Sequence, residues 1–136
     1  MKKIQLLSIL IVLLMSSLIS NAQTSKKETT GSAVNKLEAY YFHNTSRCVT
    51  CKTVESEAKA DLENLYGSQV TFKALNLEED STKPIAEKLK ISGQTLLIVK
   101  GDQQINLTNE GFLYARTNPV KFKKIIKEEV DKLLDL

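Results

Sequence analysis

The chain contains little cysteine and proline and no tryptophan. Only two cysteines occur among its 136 residues, and they lie three positions apart at Cys48 and Cys51. A disulfide scaffold would use more bridges over longer loops, so that class of small protein is excluded. The prolines are Pro84 and Pro119, and no internal repeat is found. The length and the 42% share of hydrophobic residues are those of one ordinary globular domain.

A strong excess of charge is also lacking. The formal net charge is +3, and two of the basic residues, Lys2 and Lys3, belong to a segment that we expect to be removed. The remaining protein is then close to neutral, which excludes electrostatic capture of nucleic acid or of an anionic membrane. We therefore expect no nucleic-acid partner and no membrane association of the mature form. We also expect a monomer.

The first 22 residues have the three-part pattern of a secretory signal. A positive start precedes an almost wholly apolar run, Ile4–Met15, and Ser20-Asn21-Ala22 has the small residues of a cleavage site. The run is shorter than the roughly 20 residues that span a bilayer. No cysteine stands directly after it, which argues against lipid attachment, whereas an uncleaved membrane anchor stays open. We predict a signal peptide over 1–22, a flexible polar leader over 23–35, a domain over 36–136, and export to the periplasm of a bacterium.

The apolar periodicity of 36–136 predicts alternating strands and helices. The predicted strands are 36–42, 70–77, 96–99 and 103–108. Helices are predicted from the cysteine pair to Gly67, around Pro84, and from Asn118 as N-cap to the C-terminus, whereas Glu110–Arg116 is predicted to be a loop. On the first helix the charged residues, Asp61 among them, are expected to fill the outer face. This order predicts an α/β fold, a mixed sheet with helices on both faces.

The two cysteines begin the first helix. A thiol exchanges disulfides as its thiolate, and the unpaired N–H groups of a helix N-terminus stabilise that anion. The exposed N-terminal cysteine attacks and the second resolves the mixed disulfide, so we assign Cys48 as nucleophile and Cys51 as resolving thiol. The alternative is an inert bridge across one helical turn, which would add little stability because its loop is short.

The motifs resemble those of thioredoxin-like proteins. Tyr40-Tyr41-Phe42 and the Cys48–Lys52 motif are similar to that superfamily's first strand and active site, and Ile91–Val99 is similar to its segment before a buried strand. The resemblance covers the chain from Lys36 to its end. It implies a three-layer α/β/α domain with a central mixed four-stranded sheet and a redox-active dithiol. Within the superfamily the chain also resembles small exported proteins of a nitrophenyl-compound nitroreductase subunit (ArsF-type) family, a label that does not by itself establish nitroreduction.

Several positions depart from the superfamily pattern. Gln94 stands where the superfamily carries a cis-proline, which there shapes the groove and keeps metal off the thiols, so its absence leaves room for metal. Tyr41 lies near the place of the superfamily's buried acid, the usual tryptophan is missing, and the active-site loop is one residue longer than in thioredoxin. Val49-Thr50 differs from thioredoxin's Gly-Pro, so the redox potential cannot be carried over.

Two neighbours of the dithiol have open interpretations. His43 is either a third metal ligand beside the thiols or a polar residue at the end of a strand. Arg47 either favours the Cys48 thiolate by its positive charge or is a solvated surface residue.

The sequence therefore supports two functions in which the cysteines take part in chemistry. The first is a periplasmic thiol-disulfide oxidoreductase or electron-transfer protein that passes two electrons between Cys48/Cys51 and a partner protein. The second is a carrier of a soft metal or metalloid, copper(I) or arsenite, on the same thiolates. No nucleotide, flavin or haem motif is found, so we expect no cofactor, and reducing power has to arrive from another protein.

Overall fold

The computed structural model of the protein describes residues 36–136. The predicted signal peptide, 1–22, and the predicted leader, 23–35, lie outside the described residues. Within the described part, four strands form one sheet in the order β2-β1-β3-β4. The strands are β1 (Leu37–His43), β2 (Val70–Asn76), β3 (Thr95–Lys100) and β4 (Gln103–Asn106). β1 pairs in parallel with β2 and antiparallel with β3, and β3 pairs antiparallel with β4. The predicted mixed four-stranded sheet is therefore confirmed.

Within residues 36–136, four α-helices accompany the sheet. They are α1 (Val49–Tyr66), α2 (Lys83–Lys88), α3 (Thr108–Tyr114) and α4 (Pro119–Leu134). Gly67 ends α1 with a positive φ of 51°, a conformation that glycine adopts without a steric penalty. Asn118 caps α4, its side chain accepting a hydrogen bond from the backbone N–H of Lys121 at 3.1 Å. The predicted ends of these two helices are thus confirmed.

The central strands are buried on both faces, so they separate two apolar clusters. Tyr41 of β1 and Ile98 of β3 belong to a cluster that includes side chains of α1 and α4. Phe42 follows Tyr41 along β1, and Leu97 precedes Ile98 along β3. Both belong to a second cluster, which includes side chains of α2. Because side chains alternate along a strand, the continuous apolar run of β3 supplies both clusters. The result is the predicted three-layer arrangement, with α1 and α4 on one face and α2 on the other.

Helix α3 corrects one prediction, because Glu110–Arg116 was expected to be a loop. The helix starts where the Asn106 side chain accepts from the backbone N–H of Thr108 at 3.0 Å, and Leu107 and Ala115 at its two ends are buried. Gly111 faces α1 so closely that a Cβ there would lie 2.8 Å from a methyl carbon of Val54. Glycine is a poor helix former, so tertiary packing against α1 overrides local propensity here.

Asp61 is a second correction, since it was expected on the outer face of α1 and is only 8% exposed. Its carboxylate lies 3.4 Å from the Lys123 ammonium of α4. Burial raises the pKa of Asp61 above its ordinary value, and the charge of Lys123 opposes that rise. The charged residue therefore lies between the two helices that cover this face of the sheet. None of the helices within 36–136 is long and apolar enough to cross a membrane.

Candidate active site

The two cysteines lie at the N-terminus of α1 and form a disulfide, with their Cα atoms 5.2 Å apart. Cys48 is the N-cap residue, with extended backbone angles, and its sulfur accepts a hydrogen bond from the backbone N–H of Cys51 at 3.2 Å. The Cys48 sulfur thus occupies the place of a capping oxygen, where the unpaired N–H groups and the helix dipole favour negative charge.

The two cysteines differ in their exposure to solvent. Cys48 is an exposed residue, whereas Cys51 is only 5% exposed. Of the two, Cys48 is therefore the residue more open to an incoming sulfur. This asymmetry is the one expected for an attacking thiol and a resolving thiol, although the roles themselves remain predictions.

An ion pair lies beside the dithiol. The guanidinium of Arg47 contacts the carboxylate of Glu55, two turns further along α1, and both side chains are about three-quarters buried at 23% and 25% exposure. Arg47 is therefore not the solvated surface residue of the second interpretation, whereas its effect on a Cys48 thiolate stays a prediction. Its charge is partly compensated by Glu55, which weakens its effect on a Cys48 thiolate. The first turn of α1 holds no acidic residue, so the dipole there is not opposed.

Tyr41 lies under this end of α1, on the face of β1 that α1 covers. Its side chain is fully buried, and no group within residues 36–136 hydrogen-bonds its hydroxyl. Burial raises the pKa of Tyr41, and the negative charge of Glu55 raises it further, while Arg47 lowers it. The hydroxyl therefore stays protonated at neutral pH, so it cannot accept a proton as a carboxylate at this position could.

Gln94 contacts the dithiol, which the sequence alone did not show. Its amide oxygen, Oε1, lies 3.6 Å from the sulfur of Cys51, although the two residues are 43 positions apart in the chain. The pairing of β1 with β3 explains why Gln94 and Cys51 lie close together. Phe42 near the end of β1 pairs with Thr95 at the start of β3, so the loop after β1 and the loop before β3 leave the sheet at the same edge.

An open groove lies beside these two loops. Asn44 of the first loop and Ile91 and Ser92 of the second line one part of it. The remainder is lined by the residues after β2 and by α2: Leu77, Glu78, Lys83, Ala86 and Glu87. The groove is lined by side chains of both charges and by some apolar surface.

His43 makes local contacts at the end of β1 in this structure, in which Cys48 and Cys51 are bridged. Its Nδ1 atom lies 2.9 Å from the carbonyl oxygen of Asn44, a distance that suits donation from Nδ1–H, and its ring lies against that of Tyr41 at 6.2 Å between centroids. Among residues 36–136, no three histidine, cysteine, aspartate or glutamate side chains are grouped so that they could hold a metal ion. The three-ligand set of His43, Cys48 and Cys51 is thus not assembled.

The site contains features that sequence reasoning missed. Glu55 was assigned to the outer face of α1, yet it pairs with Arg47. Gln94 was singled out for its position and not for its contact with Cys51. The helical spacing Cys48, Cys51, Glu55 is a signal that could have placed Glu55 on the side of the dithiol.

Comparison with known proteins shows the fold. No protein-family model and no curated protein matches the chain. Among solved structures the chain is similar to Trxlp from Edwardsiella tarda EIB202, with 17% identity and a TM-score of 0.50 over 69% of this chain and 84% of that one. It is also similar to the germline-specific thioredoxin Deadhead from Drosophila melanogaster, with 20% identity and a TM-score of 0.47 over 71% and 83% of the two chains. The similarity to Trxlp, together with the mixed sheet and its helices on both faces, shows a thioredoxin-like fold and confirms the predicted fold class, whereas the resemblance to the ArsF-type family stays a prediction.

Proposed function

We propose that this protein is an exported thiol-disulfide oxidoreductase that exchanges two electrons with a partner protein through Cys48 and Cys51. One observation carries the proposal. Cys48 is an exposed residue at the N-terminus of α1, and its sulfur is bonded to that of the buried residue Cys51. A disulfide kept only for stability would close a very short loop, so it would add little to the free energy of unfolding. The thioredoxin-like fold with a CxxC pair agrees with this chemistry.

The exchange balances without a cofactor. In the reducing direction the Cys48 thiolate bonds to one sulfur of the partner's disulfide, and the other partner sulfur leaves as a thiolate that takes up a proton. Cys51 then loses its proton and attacks the sulfur of Cys48, and the second partner sulfur leaves as a thiolate that also takes up a proton. The two protons taken up match those that Cys48 and Cys51 lost on ionising. Two electrons and two protons have passed to the partner, and Cys48 and Cys51 are bridged. The reverse sequence oxidises a partner dithiol.

The partner is a protein segment that carries a cysteine pair. Asn44, Ile91 and Ser92 of the groove belong to the chain segments that lead to Cys48 and to Gln94. We expect a partner peptide bound in this groove to present its sulfur to Cys48. Export agrees with the proposal, because a disulfide persists in an oxidising compartment.

The test is a titration of the purified protein against glutathione buffers with thiol trapping. Reversible reduction with a potential above about −300 mV is expected, because structural disulfides lie lower. Cys48→Ser should abolish exchange, whereas Cys51→Ser should accumulate a mixed disulfide at Cys48. Ser56→Ala, an exposed change on the same helix, is the matched control and should behave as the wild type. An irreducible bridge would refute the proposal, and so would continued exchange by Cys48→Ser.

Two further measurements address the finer parts of the proposal. Copper(I) or arsenite is added to the reduced protein, and tight one-to-one binding with slow disulfide exchange would favour the soft-metal carrier instead. The N-terminus of protein recovered from the periplasm is sequenced, and we expect it at Gln23. Recovery only from the cytoplasm would contradict export.

A further inference from the structure

The resolving cysteine has a polar neighbour for which the exchange mechanism gives no role. Cys51 is 5% exposed, so its thiol in the reduced protein has little access to water. The Oε1 atom of Gln94 lies 3.6 Å from its sulfur, within the range of a hydrogen bond that involves sulfur. Gln94 is itself half-buried and directly precedes β3, so the neighbouring strand restrains its backbone.

The contact between Cys51 and Gln94 differs between the oxidised and the reduced protein. In the disulfide the sulfur of Cys51 carries no hydrogen, so it can only touch the amide oxygen. When the bridge takes up two electrons and two protons, one proton on each sulfur, Cys51 gains an S–H group that can donate to that oxygen. The hydrogen bond therefore exists in the dithiol and not in the disulfide.

We propose that Gln94 is a positioning residue that stabilises the reduced protein by accepting a hydrogen bond from the thiol of Cys51. The inference rests on the proposed function, since it concerns the same dithiol. A buried hydrogen bond present in only one redox state shifts the equilibrium towards that state, so Gln94 makes the protein a stronger oxidant than it would otherwise be. Gln94 also holds the Cys51 thiol within the first turn of α1, close to the sulfur that it attacks.

The test compares glutathione equilibrium constants of the wild type and three variants. Gln94→Met keeps the length of the side chain and removes the acceptor, and we expect its equilibrium to move about 2- to 10-fold towards the disulfide, the range of one hydrogen bond. A tenfold change corresponds to about 30 mV. Gln94→Glu keeps an acceptor oxygen, so its equilibrium should equal that of the wild type or move towards the dithiol. Gln103→Met makes the same chemical change at an exposed position of β4 and should leave the equilibrium unchanged.

The outcomes separate this inference from the proposed function. If the wild-type bridge cannot be reduced reversibly, the proposed function fails. If the wild type exchanges and folded Gln94→Met has the same equilibrium constant, the inference about Gln94 fails while the function stands. A shift of Gln94→Glu equal to that of Gln94→Met would also overturn the inference, because it would show that any change at this position, and not loss of the acceptor, alters the equilibrium. Circular dichroism of each variant verifies that the fold is kept.

Discussion

Substitution of Gly111 by alanine tests the packing that brings α3 against α1. Alanine is a better helix former than glycine by about 1 kcal/mol, so Gly111→Ala should stabilise an isolated helix. In the folded protein the new Cβ would lie 2.8 Å from a methyl carbon of Val54. Val54 is fully buried, and its β-branched side chain is stiff in a helix, so it cannot move aside.

The net effect follows from these two opposed contributions. Forcing a methyl group into a packed core costs about 1–3 kcal/mol, and we take the upper value because the neighbour is rigid. After the gain in helix propensity, a loss of about 2 kcal/mol in the free energy of unfolding remains. For a domain of this size that loss lowers the midpoint of thermal unfolding by about 8–16 °C.

The assay is thermal and urea unfolding monitored by circular dichroism. Gly93→Ala is the matched control, because a Cβ at Gly93 meets no atom of the described residues within 4 Å, and it should change stability little. In a Val54→Ala background the cost of Gly111→Ala should shrink, since the obstructing methyl groups are gone. If Gly111→Ala is as stable as the wild type, α3 does not pack against α1 as described and the reasoning is refuted.

Three further predictions concern buried polar groups and a helix cap. Tyr41→Phe should raise the unfolding free energy by about 1 kcal/mol in urea titrations, because it removes a buried hydroxyl without a partner in 36–136; a loss of stability would mean that the hydroxyl is hydrogen-bonded. The pKa of Asp61 is raised by burial, so its ionisation costs stability as the pH rises above its unfolded value of about 3.9. Asp61→Asn should therefore gain stability relative to wild type at pH 7 and lose that gain at pH 3, and a difference independent of pH would contradict this. Asn118→Ala should cost about 1 kcal/mol, because the cap of α4 is lost, and an unchanged urea midpoint would show that the cap contributes nothing.

The elements that the sequence predicted correctly are those whose signals are local. The helical periodicity between the cysteine pair and Gly67, the cap at Asn118 and the apolar run of β3 each lie within one segment, so periodicity and capping rules identify them. The position of the dithiol at the start of α1 was predicted for the same reason, because the change of period falls beside Cys48.

The features that the sequence did not predict depend on contacts between distant segments. Gly111 weakens the helical signal of α3, and only its approach to Val54 explains why a helix forms there. Asp61 is buried because Lys123 comes from another helix, and a single-helix pattern cannot show this. The contact of Gln94 with Cys51 requires the register of β1 with β3, which no local pattern contains.

The pairing of Phe42 with Thr95 has a consequence for how such a protein can vary. The sheet fixes the edge at which both loops emerge, but it does not fix the length of either loop. An insertion or deletion within Ser92–Gln94 would replace the group that faces Cys51 while every strand kept its partners. The group that faces Cys51, and with it the redox effect that we propose for Gln94, can therefore change through a few loop residues while the strands that define the fold stay the same.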